Sequence, residues 1–266
     1  MITVMTATYN RAYTLTRLYE SLECQSDKRF KWVVVDDGSS DDTMNLLRSF
    51  QAVASFPIVV INQLNSGKHI AINSGVLAST DEWFFLVDSD DVLTPNAIEV
   101  FFKNTVDSHY EYLVGYCYRK ADLSGRLIGE SVSTVSGYSV LMTPTQAGNF
   151  YKGDLAYIFR REILLKYPFP KFKGEKFVPE LLVWNQVSDE GEILFFHDQA
   201  IYLCEYLEDG YTANFNQNLR RNPCGFGIYY KNQIRREVSI ARKVKCAVRY
   251  LQCLFFAFVK KREPVK

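Results

Sequence analysis

The sequence predicts an α/β fold: a mainly parallel sheet with helices on both faces, followed by a C-terminal helical extension. Three observations predict it. Over the first 105 residues, short apolar runs alternate with helical periodicities. One of those runs, Trp32-Val33-Val34-Val35, is apolar without alternation, the pattern of a strand buried on both faces. Polar clusters then follow the runs, where parallel sheets present ligands beyond their C-terminal strand ends.

Taken in order, Ile2 to Ala7 is a β-prone run. Asn10 is placed to cap a helix whose apolar residues Leu15, Leu18, Tyr19 and Leu22 recur at i, i+3, i+4 and i+7. Lys31 to Asp36 is the second strand. Gly38 turns the chain, and Ser39 or Ser40 caps a helix with Met44, Leu47 and Phe50 inward. Pro57 to Ile61 is the third strand, Lys68 to Ala78 a helix, and Glu82 to Val87 the fourth strand. Thr94 caps the next helix, with Pro95 at the first position, where its missing N–H is no loss. This βαβαβαβα order implies parallel pairing with crossover helices.

The second half is less regular. Tyr112 to Tyr118 reads as a strand, and Ala121 to Gln146, rich in Gly, Ser and Thr, as hairpins or loops. Ala156 to Phe159 is a further strand and Glu162 to Lys166 a short helix. A loop punctuated by Pro168, Pro170 and Gly174 leads to a helix over Phe177 to Val187. Ile193 to Phe196 and Ala200 to Cys204 read as strands, and Ile228 to Arg262 as helical.

Composition narrows the class. The 31 basic and 30 acidic residues nearly cancel, which argues against a nucleic-acid binder. The six cysteines form no C-x-x-C pair, so a structural zinc site is not expected. No run approaches the ~18 apolar residues of a membrane span. The N-terminus lacks a basic region before its first strand, and the expected location is cytoplasmic with reduced thiols.

Three polar clusters fall at strand ends: Thr6-Ala7-Thr8-Tyr9-Asn10, Asp36-Asp37-Gly38-Ser39-Ser40 and Asp88-Ser89-Asp90-Asp91. The last is the most informative, because three carboxylates in four positions repel one another. Mg²⁺ or Mn²⁺ would offset that repulsion, binding carboxylate oxygens together with substrate phosphates. The alternative is a turn followed by a helix cap.

The segments Thr6 to Arg11, Val33 to Thr43, Asn65 to Lys68, Ala71 to Gly75 and Phe85 to Asp91 together resemble family 2 glycosyltransferases of the GT-A fold, in family order and at family-like spacing. The later half resembles bacterial polysaccharide-type members more loosely. The resemblance implies inverting transfer of a sugar from a nucleotide-diphosphate donor, expected to be a UDP-sugar, to a saccharide or lipid-linked saccharide acceptor. It implies a catalytic domain over 1–215, with a nucleotide-sugar-binding half (1–105) and an acceptor-binding half (106–215), and a basic amphipathic extension over 216–266.

By that likeness Thr6, Thr8, Tyr9 and Asn10 cradle the nucleoside, and Asp37 or Asp36 holds base or ribose. Asp88 with Ser89 contacts ribose or metal, and Asp90 and Asp91 hold metal and diphosphate. Lys68, at a helix start behind Gly67, is the nearest cation for the donor phosphates; the alternative is a solvated lysine. An inverting transfer needs a general base. Glu180 is the family-like candidate, 90 residues past Asp90, and Glu175 is the second. The alternative for Glu180 is complementing a helix dipole. Glu205 to Asn214 resembles a donor-side loop that orders on binding.

The basic tail, Arg235 to Arg262, interleaves aromatic and aliphatic residues. It suits peripheral contact with the inner face of a cell membrane, or packing on the domain or on a second subunit in a homodimer. Two other functions stand beside sugar transfer. One is a nucleotidyltransferase, whose glycine-rich basic signature Thr6 to Arg11 lacks. The other is an inactive nucleotide-sugar-binding or assembly protein.

Overall fold

The computed structural model describes residues 1–107, 112–130, 138–205 and 215–262. In chain order its elements are β1 (Ile2–Thr8), α1 (Ala12–Glu23), β2 (Phe30–Asp36), α2 (Thr43–Val53), β3 (Ile58–Asn62), α3 (Lys68–Ala78), β4 (Trp83–Leu86), β5 (Val92–Leu93) and α4 (Ala97–Asp107). They continue with β6 (Leu113–Ala121), β7 (Ser139–Leu141), α5 (Pro144–Tyr151), β8 (Leu155–Arg160), α6 (Arg161–Leu164), α7 (Leu181–Val187) and β9 (Glu192–Leu203). Three helices follow, α8 (Phe215–Arg221), α9 (Pro223–Arg236) and α10 (Ile240–Arg262).

One sheet runs in the order β3-β2-β1-β4-β8-β6-β9-β5, with β7 paired to β9. The first four strands are parallel, as the βα alternation requires. Polarity changes at β4, whose other neighbour β8 is antiparallel. Beyond it only β6 and β9 pair in parallel, so the parallel character belongs to the N-terminal half.

The unalternated run of β2 has the predicted physical reason. Trp32 and Val34 join the core on one face of the sheet, and Val33 and Val35 join the core on the other. All four are wholly buried. At about 1.5–3 kcal/mol per large apolar side chain, this strand alone contributes several kcal/mol of burial, which fixes the height at which β1 and β2 deliver their polar ends.

Several local expectations need correction. Asn10 does not cap α1. Its backbone is left-handed at φ 53, its N–H donates to Ser39 Oγ, and its Oδ1 accepts from Ser40 N. Arg11 is the N-cap residue, without a side-chain cap. Neither serine caps α2, which starts from Asp42, while Asp41 Oδ1 accepts from Thr43 N. Pro95 precedes α4 rather than entering it, and Thr94 O accepts from Ala97 N. The Gly/Ser/Thr-rich stretch yields β7 and α5, the latter with a capping box between Thr143 and Gln146. The two strands expected over Ile193–Phe196 and Ala200–Cys204 are one long strand, β9, which ends at Leu203 and whose pairing with β6 is irregular along its middle. Ile228 to Arg262 is helical in two pieces, the end of α9 and all of α10, with a break at 237–239.

Candidate active site

A cleft of about 1190 Å³ opens along the C-terminal ends of β1 and β4. That is room for a nucleotide-sized ligand and part of a second substrate. Thr8, Tyr9, Asp37, Lys68, Asp88, Ser89, Asp90, Asp91 and Glu180 all line it. Nine of the sequence-selected residues, spread over more than 170 positions, thus meet on one wall.

Thr6 does not. It is wholly buried, and its hydroxyl accepts from Trp32 Nε1 at 3.0 Å. Side chains alternate along a strand, so Thr6 and Thr8 share a face, but only Thr8 reaches the end where the cleft opens. Asp36 is also buried, and its carboxylate is taken by the Ser39 hydroxyl and N–H and by Asn62. It shapes the turn after β2 and is not on the cleft wall. Asn10 likewise organises that turn from outside the lining. His69 is buried and outside the lining too.

Asp37 has a second duty. It accepts from Gln63 Nε2 at 2.7 Å, Ser66 N at 2.8 Å and Gly67 N at 2.7 Å. The carboxylate therefore pulls the loop before α3 into place and positions Lys68. Gly67 has φ 97, and a Cβ there would meet Lys176 O at 2.1 Å. Only glycine fits both the left-handed backbone and this close approach.

The centre of the cleft is an ion-pair bridge. Lys68 Nζ lies 2.7 Å from Asp88 Oδ1 and 2.9 Å from Glu180 Oε1. Burial works against the Lys68 charge, but the two carboxylates outweigh it and hold its pKa well above the usual lysine value. Burial also pushes Asp88 up; the charges of Lys68 and Lys120 prevail and keep it below the usual range. Asp88 N additionally donates to the Tyr202 hydroxyl oxygen at 2.8 Å. Its two neighbours behave differently. Burial and then the Asp88 charge raise Asp90, and burial pushes Asp91 up to about 7 against the pull of Lys120, 3.7 Å away.

Those raised carboxylates bear on metal binding. Among the described residues no group of three or more His, Cys, Asp or Glu side chains is arranged to hold an ion. Asp90 and Asp91 nevertheless present hard oxygen donors on the cleft wall, and ionising them is unfavourable in their present surroundings. A cation beside them relieves that cost. The donor set fits Mg²⁺ or Mn²⁺ if substrate oxygens and water complete the shell.

The two base candidates separate cleanly. Glu175 is buried, with its oxygens accepting from Cys224 N and Gly225 N at 2.9 Å each. It caps the start of α9. Glu180 precedes α7, but its side chain makes no cap bond and turns instead to Lys68 in the cleft. Two polar atoms also bear on ligand binding. Thr8 Oγ1 and Asn65 Oδ1 are buried and have no hydrogen-bond partner among the described residues, and both residues line the cleft. Buried polar groups normally find a partner, so these two are open positions for one supplied by a ligand.

Sequence reasoning missed Lys120, Tyr202 and Arg17. Arg17 donates to Asp90 O at 2.5 Å and pairs with Glu205 at 2.9 Å. These residues stand 29 to 114 positions from their partners in the acidic cluster, and only the β6–β9–β5 pairing brings Lys120 and Tyr202 there. No local signal announces them. The donor-side loop read at Glu205 to Asn214 lies outside the described residues beyond Glu205.

Comparison with known proteins adds to this geometry. The family described as glycosyl transferase family 2 matches residues 3–163. A Campylobacter jejuni protein named GalNAc(5)-diNAcBac-PP-undecaprenol beta-1,3-glucosyltransferase is 23% identical, covering 98% of this chain and 84% of its own length. The poly(ribitol-phosphate) beta-N-acetylglucosaminyltransferase TarP of Staphylococcus aureus is 27% identical, over 58% of this chain and 43% of its own length. Among solved structures, S. aureus TarS 1–349 in complex with UDP-GlcNAc superposes with a TM-score of 0.67 at 20% identity, covering 96% of this chain and 72% of that one. A Pyrobaculum calidifontis mannosyltransferase in complex with GDP-Man and Mn²⁺ gives 0.59 at 15%, covering 99% and 76%. At such identities the superpositions show a shared GT-A-type fold.

Proposed function

The chain belongs to glycosyl transferase family 2, and from that premise we propose that it transfers a sugar, with inversion, from a UDP-sugar to a hydroxyl of a bacterial surface glycan carried on a lipid or a polymer. The observation that carries this reading is the Lys68 bridge, which joins a residue of the acidic cluster to the candidate base. The relatives supply the substrate classes: one structural neighbour holds UDP-GlcNAc, and one relative is named for an undecaprenol-linked acceptor.

The donor's nucleoside lies against Thr8, Tyr9 and Asp37, with Thr8 Oγ1 and Asn65 Oδ1 gaining partners they lack. Its diphosphate lies towards Lys68, Asp90 and Asp91. A divalent ion held by Asp90 and Asp91 would supply charge stabilisation for the departing nucleoside diphosphate. The acceptor hydroxyl attacks the anomeric carbon from the opposite face. Glu180 takes the hydroxyl proton as the new bond forms and the bond to the diphosphate oxygen breaks. Lys68 orients Glu180 before the acceptor arrives and keeps its carboxylate beside a positive charge.

The experiment pairs two measurements. Calorimetric titration of UDP, GDP, CDP and TDP, each with and without Mn²⁺, should show metal-dependent binding of UDP. Glu180→Gln should then keep UDP affinity within a few-fold and lose about 10²- to 10⁴-fold in turnover, the usual range for a general base. Wild-type turnover in Glu180→Gln removes it from the base role. Metal-dependent binding without transfer to any glycan acceptor would favour an inactive binding protein.

A further inference from the structure

The face of α10 turned away from the protein carries a continuous apolar ridge. Val244, Val248, Leu251, Leu254, Phe255 and Val259 are between 39% and 63% exposed. Their spacing puts them on one side of the helix. The other side is spent on packing: Cys253 is buried with Leu219 and Phe226, and Phe256 packs against that cluster. Scattered exposed apolar residues are ordinary, but a stripe running over sixteen positions of one helix is not.

Charge identifies what covers it. Between Ile240 and Arg262 there are seven basic residues and no acidic one, whereas the whole chain carries a net charge of only +1. The rest of the protein is therefore net negative, and the positive charge is concentrated on this helix. A second copy would bring an equally basic α10 against the first. An anionic surface meets both the ridge and the charge. No helix among the described residues is long and apolar enough to cross a membrane, so such a helix lies in the interface.

We propose that α10 seats on an anionic lipid bilayer and holds the cleft at that surface. The docking stands on α10 alone; its use, presenting a lipid-linked acceptor, rests on the sugar-transfer reading. The connection to the cleft is direct. Lys260 Nζ donates to Gly174 O at 3.0 Å and to Arg221 O at 2.7 Å. Lys176 N donates to Asn222 Oδ1, and Glu175 takes the first free N–H groups of α9. The helix that meets lipid is thus bonded to the segment that carries Glu180, and Lys176 and Arg221 line the cleft between them.

The test is co-sedimentation of the full-length protein, without donor or acceptor, with vesicles of phosphatidylcholine alone and with equimolar phosphatidylglycerol. We expect binding to the anionic vesicles, release by added salt, and no binding to the neutral ones. Leu251→Asp with Phe255→Asp should weaken vesicle affinity by about tenfold or more. Both sites are exposed, and circular dichroism together with UDP titration checks that this variant is folded. Lys243→Glu with Lys245→Glu should remove most of the salt-sensitive part.

Wild-type protein left in the supernatant with anionic vesicles overturns the proposal, as does a ridge variant that sediments like wild type. A dimer seen by light scattering that the ridge variant breaks, with no vesicle binding, assigns the ridge to a second copy and overturns it too. Absence of UDP binding in a wild-type protein that still sediments counts against the sugar-transfer reading and leaves the docking standing.

Discussion

Replacing Lys68 by methionine isolates the central bridge. The variant keeps the length of the side chain and removes its charge. In the native cleft, Asp88 Oδ1 and Glu180 Oε1 share one ammonium at 2.7 and 2.9 Å. The two oxygens therefore lie within about 5.6 Å of each other, and without the cation two unit charges at that separation repel by about 3 kcal/mol at an effective dielectric of 20 and by about 0.7 kcal/mol in water. The sign follows from Asp88. Burial pushes it up, Lys68 and Lys120 hold it below the usual range, and removing Lys68 removes most of that hold. A proton then stays on Asp88 to higher pH. The acidic limb of kcat/KM against pH should move to higher pH in Lys68→Met, with transfer recovering as the pH is raised. Lys68→Arg, which restores the charge, should return the limb towards the wild-type position. The assay is release of UDP at several donor concentrations, so that lost donor affinity is separated from the pH shift. A limb at its wild-type position in Lys68→Met would show that Lys68 does not govern the ionisation of Asp88 and would sink the electrostatic account.

Three further outcomes are expected. Glu175→Ala leaves the Cys224 and Gly225 N–H groups without their carboxylate, at a cost of about 1–3 kcal/mol for the buried Gly225 donor, read by urea denaturation; chemistry per folded molecule should be retained, and a folded variant without turnover would give Glu175 a catalytic part. Asp91, raised to about 7 in the fold, favours the folded state at low pH, and that contribution is lost as the pH rises through about 7. Metal-free protein should therefore lose stability between about pH 4 and 8, Mn²⁺ should restore it, and a thermal midpoint flat across that range with and without metal contradicts the picture. Asp90→Asn should make UDP binding insensitive to Mn²⁺, and an unchanged metal dependence by calorimetry would move the ion elsewhere.

The parallel half of the fold was legible because each of its signals is local. Burial on both faces writes β2 as Trp32-Val33-Val34-Val35, and α3 runs from Lys68 to Ala78 as its pattern predicts. The acidic cluster and Glu180 were legible from family-like spacing. Caps were less so, since Asp, Asn and Ser compete for the same turns: Ser39 is spent on Asp36 and Asn10, and Asp41 takes the N–H that a serine was expected to bind. Thr6 was misplaced because a motif does not say which of its residues ends in the core, and Trp32, 26 positions away, decided that. The choice between Glu175 and Glu180 depends on α9, and the roles of Lys120 and Tyr202 depend on strand pairings formed across more than 80 residues. Such contacts leave no trace in a window of neighbouring residues.

The contact between Gly67 and Lys176 has one more consequence. Because main chain meets main chain there, with no room for even a methyl group, the seam between the donor side and the segment carrying Glu180 is not built from interchangeable parts. Side chains elsewhere on the cleft wall can be exchanged without touching this backbone contact. The spacing between the Asp37 loop and the segment carrying Glu180 is held by glycine and backbone, so it does not depend on which side chains line the rest of the cleft.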